Sequence, residues 1–158
     1  MASFQDAFRE GIEASESAAR AKAEIFQVFD ACAEEVNVAS KGAIALSRER
    51  STRDLEQKRT VSDLVTGVLP SSESYDALVA HSTGAPQRKR AELCEYRISY
   101  QGYPVTLLYA DVDERCHDKT ALVMALESLL KHPVTGGKLR RIMGDATRQS
   151  DTEEKQSP

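Results

Sequence analysis

Apolar and small residues recur with a helical period along the N-terminal part of the chain. The positions are spaced alternately by four and three residues: Phe4, Phe8, Gly11, Ser15, Ala18, Lys22, Ile25, Phe29, Cys32 and Val36. This spacing is the a/d seam of a heptad repeat, and it predicts one long amphipathic helix, the helical arm 3–36. The seam is bulky at both ends and small from Gly11 to Ala18, so a second helix could approach its middle closely.

A long helix with such a stripe must bury it, because an isolated helix draws little stability from propensity alone. The favoured interpretation is that the stripe packs on the helix's own domain. The alternative is contact with a protein partner or with a second copy of the chain. The candidate contact residues are those of the seam: Phe4, Phe8, Gly11, Ser15, Ala18, Ile25 and Phe29.

The middle of the chain gives weaker patterns. Residues 36–48 favour a β-hairpin around a Lys-Gly pair, although a continued helix also fits the spacing. Residues 47–60 are almost wholly polar, which indicates a linker or an exposed helix. Residues 61–69 carry a short helical stripe that ends at a proline, and residues 75–79 suit one helical turn. Residues 81–90 are loop-like in composition.

A tyrosine-rich hairpin over residues 93–110 is the clearest local prediction. The runs LCEYRISY and YPVTLLYA flank Gln101-Gly102. Pairing them across that two-residue turn places four pairs on one face, because side chains alternate along a strand. The pairs are Tyr100 with Tyr103, Ile98 with Val105, Tyr96 with Leu107, and Cys94 with Tyr109.

The chain after this hairpin predicts helices and then a tail. Asp118 is a suitable N-cap for a leucine-rich helix over 118–131, which would cover the apolar face of the hairpin. From Asp145 the sequence has almost no apolar residue and predicts disorder. The fold class is therefore α+β. We expect a single domain over 1–144, with its core at about 61–144, and a disordered tail over 145–158.

Composition narrows the class of protein. The net charge of −4 argues against binding of nucleic acid through the overall charge of the protein. No apolar run reaches the roughly 20 residues that a membrane span needs, and no signal peptide is recognisable at the start. Three widely spaced cysteines without a CxxC pair fit reduced thiols, so we expect a cytoplasmic protein.

The stretch DVDERCHD, residues 111–118, combines acids, a cysteine and a histidine after an apolar run. Oxygen ligands at a strand end suit a magnesium site, for which the candidates are Asp111, Asp113, Glu114 and His117. A nuclease would also need an activating lysine, and the adjacent predicted strand offers Glu95 and Arg97 instead. Acidic residues are equally favoured at a helix N-terminus. We interpret the stretch as a polar strand-to-helix turn and expect no cofactor.

Two basic patches are candidates for nucleic-acid contact. They consist of Arg88, Lys89 and Arg90 in the first, and Lys138, Arg140 and Arg141 in the second. Tyrosines beside such charge could stack on bases. In this sequence they share a face with Ile98, Val105 and Leu107, which favours burial.

These observations favour a non-enzymatic protein-binding module, such as an inhibitor, immunity or regulatory accessory factor. The alternative is a nucleic-acid-associated protein or metal-dependent nuclease that uses the acids of 111–118. The general style resembles small bacterial or phage accessory proteins, and this resemblance transfers no site residue.

Overall fold

The fold was analysed in a computed structural model that describes residues 1, 3–55, 65, 67, 71–84 and 88–154, with side chains to residue 144. A long helix is followed by a five-stranded antiparallel sheet and two further helices. The elements are α1 (Phe4–Ala39), β1 (Ile44–Asp54), β2 (Ser72–Ser82), β3 (Arg90–Ser99), β4 (Gly102–Tyr109), β5 (Val112–Cys116), α2 (Lys119–Lys131) and α3 (Pro133–Glu154). The α+β fold class is confirmed.

Helix α1 has defined signals at both ends. At its start the Ser3 hydroxyl accepts a hydrogen bond from the Asp6 amide at 3.2 Å, and the Asp6 carboxylate accepts from the Ser3 amide, which forms a capping box. At its end the Ser40 amide donates to the Val36 carbonyl at 2.9 Å. Lys41 and Gly42 then adopt positive φ and turn the chain into β1.

The strands follow one another in space as they do in sequence, in the order β1-β2-β3-β4-β5. The prediction of a hairpin within residues 36–48 is wrong, because α1 continues to Ala39 and Ile44 pairs with Ser82 of β2. The polar stretch after residue 47 is not a linker at its start, since β1 extends to Asp54. The helical turn predicted at 75–79 lies inside β2. The predicted stripe at 61–69 falls largely outside the described residues.

The tyrosine-rich hairpin is confirmed. Tyr96 pairs with Leu107, and Ile98 pairs with Val105. Beyond these pairs the register shifts, and Ser99 pairs with Gly102. The turn therefore consists of Tyr100 and Gln101, one residue earlier than predicted, and Tyr100 is 95% exposed instead of facing Tyr103.

The acidic stretch forms more structure than a strand-to-helix turn. After a tight turn at Ala110-Asp111, residues Val112–Cys116 pair with β4 as a fifth strand. Asp118 caps α2 as predicted, because its carboxylate accepts a hydrogen bond from the Ala121 amide at 2.7 Å.

One face of the sheet packs against the helices and forms the core. Its side chains include Ile44, Leu78, Tyr96, Val105 and Leu107, which contact Ile25 and Phe29 of α1, Leu122 and Leu126 of α2, and Ile142 of α3. The rings of Phe29 and Tyr96 lie 4.8 Å apart. The core thus draws on α1 and β1 as well as on residues 61–144.

The last helix continues to Glu154, past the position at which the sequence predicts a disordered tail. The division between domain and tail stays a prediction. Within the described part of the chain, none of the helices is both long enough and apolar enough to cross a membrane.

Candidate functional site

The N-terminal part of α1 extends beyond the body of the protein. Every residue from 4 to 17 is exposed, and we call this stretch the projecting segment. It carries Phe4, Phe8 and Ile12, whose side chains are 97%, 70% and 48% exposed. Large apolar side chains on one helix face at this exposure are typical of a contact surface.

Helix α1 is longer than the strands of the sheet on which it packs, and this difference accounts for the projecting segment. At 1.5 Å per residue α1 spans roughly 54 Å, whereas the longest strands span roughly 36 Å at 3.3 Å per residue. The body begins where the β3–β4 turn meets the helix at Gly102. A methyl group built on Gly102 would lie 2.5 Å from the Cβ atom of Ala21. Beyond that contact the stripe continues toward the N-terminus, and its residues from 4 to 17 are exposed.

The seven seam candidates therefore divide into exposed, partly buried and fully buried residues. Phe4, Phe8, Gly11 and Ser15 lie on the projecting segment, and Ala18 is partly buried at the edge of the body. Ile25 and Phe29 are 0% and 1% exposed within the core, so in this fold they are not accessible to a partner. The sequence pattern could not locate this division, because the same spacing runs through both halves.

A second apolar surface lies between α1 and α2. A groove of about 410 Å³ is lined by both helices, with Val28, Ala31 and Cys32 on one side and Val123, Leu126 and Leu130 on the other. Glu35, Glu127 and Lys119 stand among its polar lining residues. Burial, with a smaller contribution from Glu35, raises the pKa of the Cys32 thiol to about 11, so this cysteine is a weak nucleophile at neutral pH.

The sheet face opposite the core carries a network of charged side chains. Arg53 of β1 reaches across β2 and donates two hydrogen bonds to Glu95 of β3, at 3.0 and 3.2 Å. The residue of β2 opposite Glu95 is the small Ala77, which leaves room for the bridge. Arg97 donates to the same carboxylate. Burial raises the pKa of Glu95, but the hydrogen bonds from Arg53 and Arg97 outweigh it, and the pKa is lowered.

A second polar cluster lies further along the same face. The Glu49 carboxylate contacts His81 and accepts a hydrogen bond from Arg90 at 3.1 Å. These contacts outweigh the effect of burial and lower the pKa of Glu49. Sequence reasoning missed both clusters, because residues 47–54 contain no apolar alternation that would identify β1 as a strand.

The acids of residues 111–118 do not converge. Asp113 and Glu114 are neighbours on β5 and point to opposite faces of the sheet, and Asp118 caps α2. Asp111 lies in the preceding turn, and His117 is exposed between β5 and α2. Among the described residues there is no group of three or more His, Cys, Asp or Glu side chains placed to hold a metal ion.

The basic candidates are divided between two elements. Arg88 and Lys89 immediately precede β3, which begins at Arg90, and the Arg90 guanidinium donates to Glu49 and Ser51. Lys138, Arg140 and Arg141 lie on α3, where the Lys138 ammonium donates to the Glu92 carbonyl at 2.7 Å. The side chains of Arg90 and Lys138 thus have partners within the fold.

Comparison with known proteins gave no guide to function: no family model, no curated protein and no solved structure matches this chain.

Proposed function

We propose that this protein is a non-enzymatic protein-binding module, an inhibitor or regulatory accessory factor, that contacts its partner through the projecting segment. The observation that carries the proposal is the exposure of Phe4, Phe8 and Ile12 on one face of a helix that is anchored in the core. Aromatic side chains are enriched among the residues that dominate the energy of protein interfaces.

The anchoring supports the same conclusion. Ile25 and Phe29 hold the C-terminal half of α1 against the sheet, so the direction of the projecting segment is set before a partner arrives. Preorganisation of this kind reduces the entropy lost on binding.

The alternative of a nuclease or nucleic-acid-binding protein has less in its favour. Asp113 and Glu114 point away from one another, and Lys138 and Arg90 are engaged within the fold. The proposal includes a cytoplasmic location, for which three unpaired cysteines are the support.

Site-specific photo-crosslinking in cells of the native host tests the proposal. A photoreactive phenylalanine analogue placed at Phe8 should form covalent adducts with protein, seen as new bands on denaturing gels. The same analogue at Arg9 is the matched control, because position 9 lies on the outer face of the helix.

The size and peptide composition of each adduct identify the partner, whether a second copy or another protein. If position 8 gives no more protein adduct than position 9, the projecting segment is not a protein-contact surface and the proposal fails.

A further inference from the structure

The seam of the projecting segment carries large and small side chains in a particular order. The two large residues, Phe4 and Phe8, come first, and the two small ones, Gly11 and Ser15, follow. The positions that flank the seam are also uncharged: Gln5, Ala7, Ile12 and Ala14. The charged residues Asp6, Arg9, Glu10 and Glu13 occupy the outer positions of the heptad.

This order of sizes is matched by a second copy that runs antiparallel. When the midpoint lies between residues 9 and 10, Phe4 faces Ser15 of the second copy and Phe8 faces its Gly11. Each of the four layers then contains one large and one small side chain, so a single interhelical distance suits them all. A parallel pair would place Phe8 on Phe8 and Gly11 on Gly11, which would overpack one layer and leave a void in the other.

The length of the projecting segment selects the same register. With that midpoint the overlap covers residues 4–15, all of which are exposed, and it ends before Ala18, where the body begins. The next antiparallel register toward the body would bring Phe4 of one copy to Lys22 of the other. That position is next to Ala21, which the β3–β4 turn already contacts at Gly102.

The area available is sufficient for a stable dimer. An aromatic side chain buries about 150–250 Å², so the four phenylalanine rings of two copies supply roughly 600–1,000 Å². Ile12 and the alanines add to this, and specific interfaces bury about 1,000 Å² or more. Because no charged residue within residues 4–15 lies on the seam or beside it, the acidic residues of the two copies do not oppose this contact at close range.

From these observations we infer that the protein pairs with a second copy of itself, through an antiparallel contact between the two projecting segments centred between Arg9 and Glu10. This inference rests on the proposed function, and the partner it specifies is a second copy of the chain. The two bodies lie at opposite ends of the contact, which leaves the groove between α1 and α2 of each copy uncovered.

Sedimentation of the full chain at micromolar concentration tests the pairing. The expected mass is twice the 17.4 kDa of one chain. The double substitution Phe4→Ser/Phe8→Ser should weaken association by roughly 100-fold or more, since each ring loses its burial. Arg9→Ser/Glu13→Ser, at two outer positions of the heptad, is the matched control, and it should remain dimeric.

Pulsed EPR distances test the orientation. A spin label on Arg20→Cys, in a Cys32→Ser background, lies about ten residues from the midpoint, which predicts a separation of about 30–40 Å in the antiparallel pair. A parallel pair would bring the two labels within about 20 Å.

The two tests separate this inference from the proposed function. A mass of one chain, or a short label distance, would overturn the antiparallel pairing. Adducts at position 8 with a different protein would then leave the protein-binding function standing with another partner.

Discussion

Gly102 is the residue at which the turn between β3 and β4 meets the long helix. Its φ of +93° is a conformation that L side chains rarely adopt, and a Cβ atom would lie 2.5 Å from that of Ala21. Backbone and packing therefore both require glycine at this position, and the contact fixes where α1 leaves the body.

We expect Gly102→Ala to lower the free energy of unfolding by about 3 kcal/mol, from backbone strain together with overpacking. Gly42→Ala is the control for strain alone, because Gly42 has a φ of +79° but no atom within 4 Å of the added methyl. Gly42→Ala should lower the free energy of unfolding by about 1 kcal/mol. Urea denaturation measures both, and equal effects would show that the contact with Ala21 contributes nothing.

Glu95 gives the polar face a pH dependence. Because its folded pKa lies below the ordinary 4.5, its contribution to stability is present above pH 4.5 and is lost as the pH falls through the lower folded pKa. Glu95→Gln should therefore reduce stability at pH 7 and flatten the loss of stability below pH 4.5. Glu34→Gln, an exposed change on α1, is the control. If the difference in the free energy of unfolding between Glu95→Gln and wild type stays constant from pH 7 to pH 3, this role is contradicted.

At the scale of elements, two helices begin with similar chemistry but differ in what they pack against. Asp118 caps α2, whose Leu122 and Leu126 lie in the core. Ser3 caps α1, whose first turns are exposed. The capping hydrogen bond of Asp118 should therefore contribute to global stability, whereas that of Ser3 should affect only the local stability of the first turns of α1.

Asp118→Ala should lower the free energy of unfolding by about 1 kcal/mol, as expected for the loss of an N-cap. In the Phe4→Ser/Phe8→Ser background, in which the proposed dimer is lost, Ser3→Ala should leave the global unfolding transition unchanged and increase amide exchange only within the projecting segment. Chemical denaturation and hydrogen exchange by NMR read out the two effects. A shift of the global transition by Ser3→Ala would mean that the segment packs on the body.

The strand assignments also belong to this scale. The tyrosine-rich hairpin was predictable because apolar and polar residues alternate along both runs, which pairs Tyr96 with Leu107 and Ile98 with Val105, although the register shifts before the turn. Strands β1 and β2 were not predictable as partners. One face of β1 bears Glu49, Ser51 and Arg53, each of which has a hydrogen-bonding partner on a distant segment that the sequence does not bring together.

At the scale of the whole molecule, the body and the projecting segment should be separable. The core residues of α1 begin at Ile25, and the contact with Gly102 lies at Ala21. Removal of residues 1–17 spares both, so folding of the body should not depend on the segment.

We therefore expect the free energy of unfolding of the chain without residues 1–17 to lie within about 0.5 kcal/mol of that of the Phe4→Ser/Phe8→Ser variant. Both are monomers in the proposed arrangement, so the comparison is free of the dimer's concentration dependence. Thermal and urea denaturation provide the measurement. A larger loss of stability in the truncated chain would show that the projecting segment contributes to the stability of the body.

The sequence by itself determined the heptad stripe of α1, the hairpin around Tyr96 and Leu107, and the cap at Asp118, because each depends on residues close together in the chain. Only the tertiary structure decided which half of the stripe is buried, since that depends on where a sheet of limited length ends beneath a longer helix. It also decided that Arg53 meets Glu95 across β2, because that contact requires three strands to be in register.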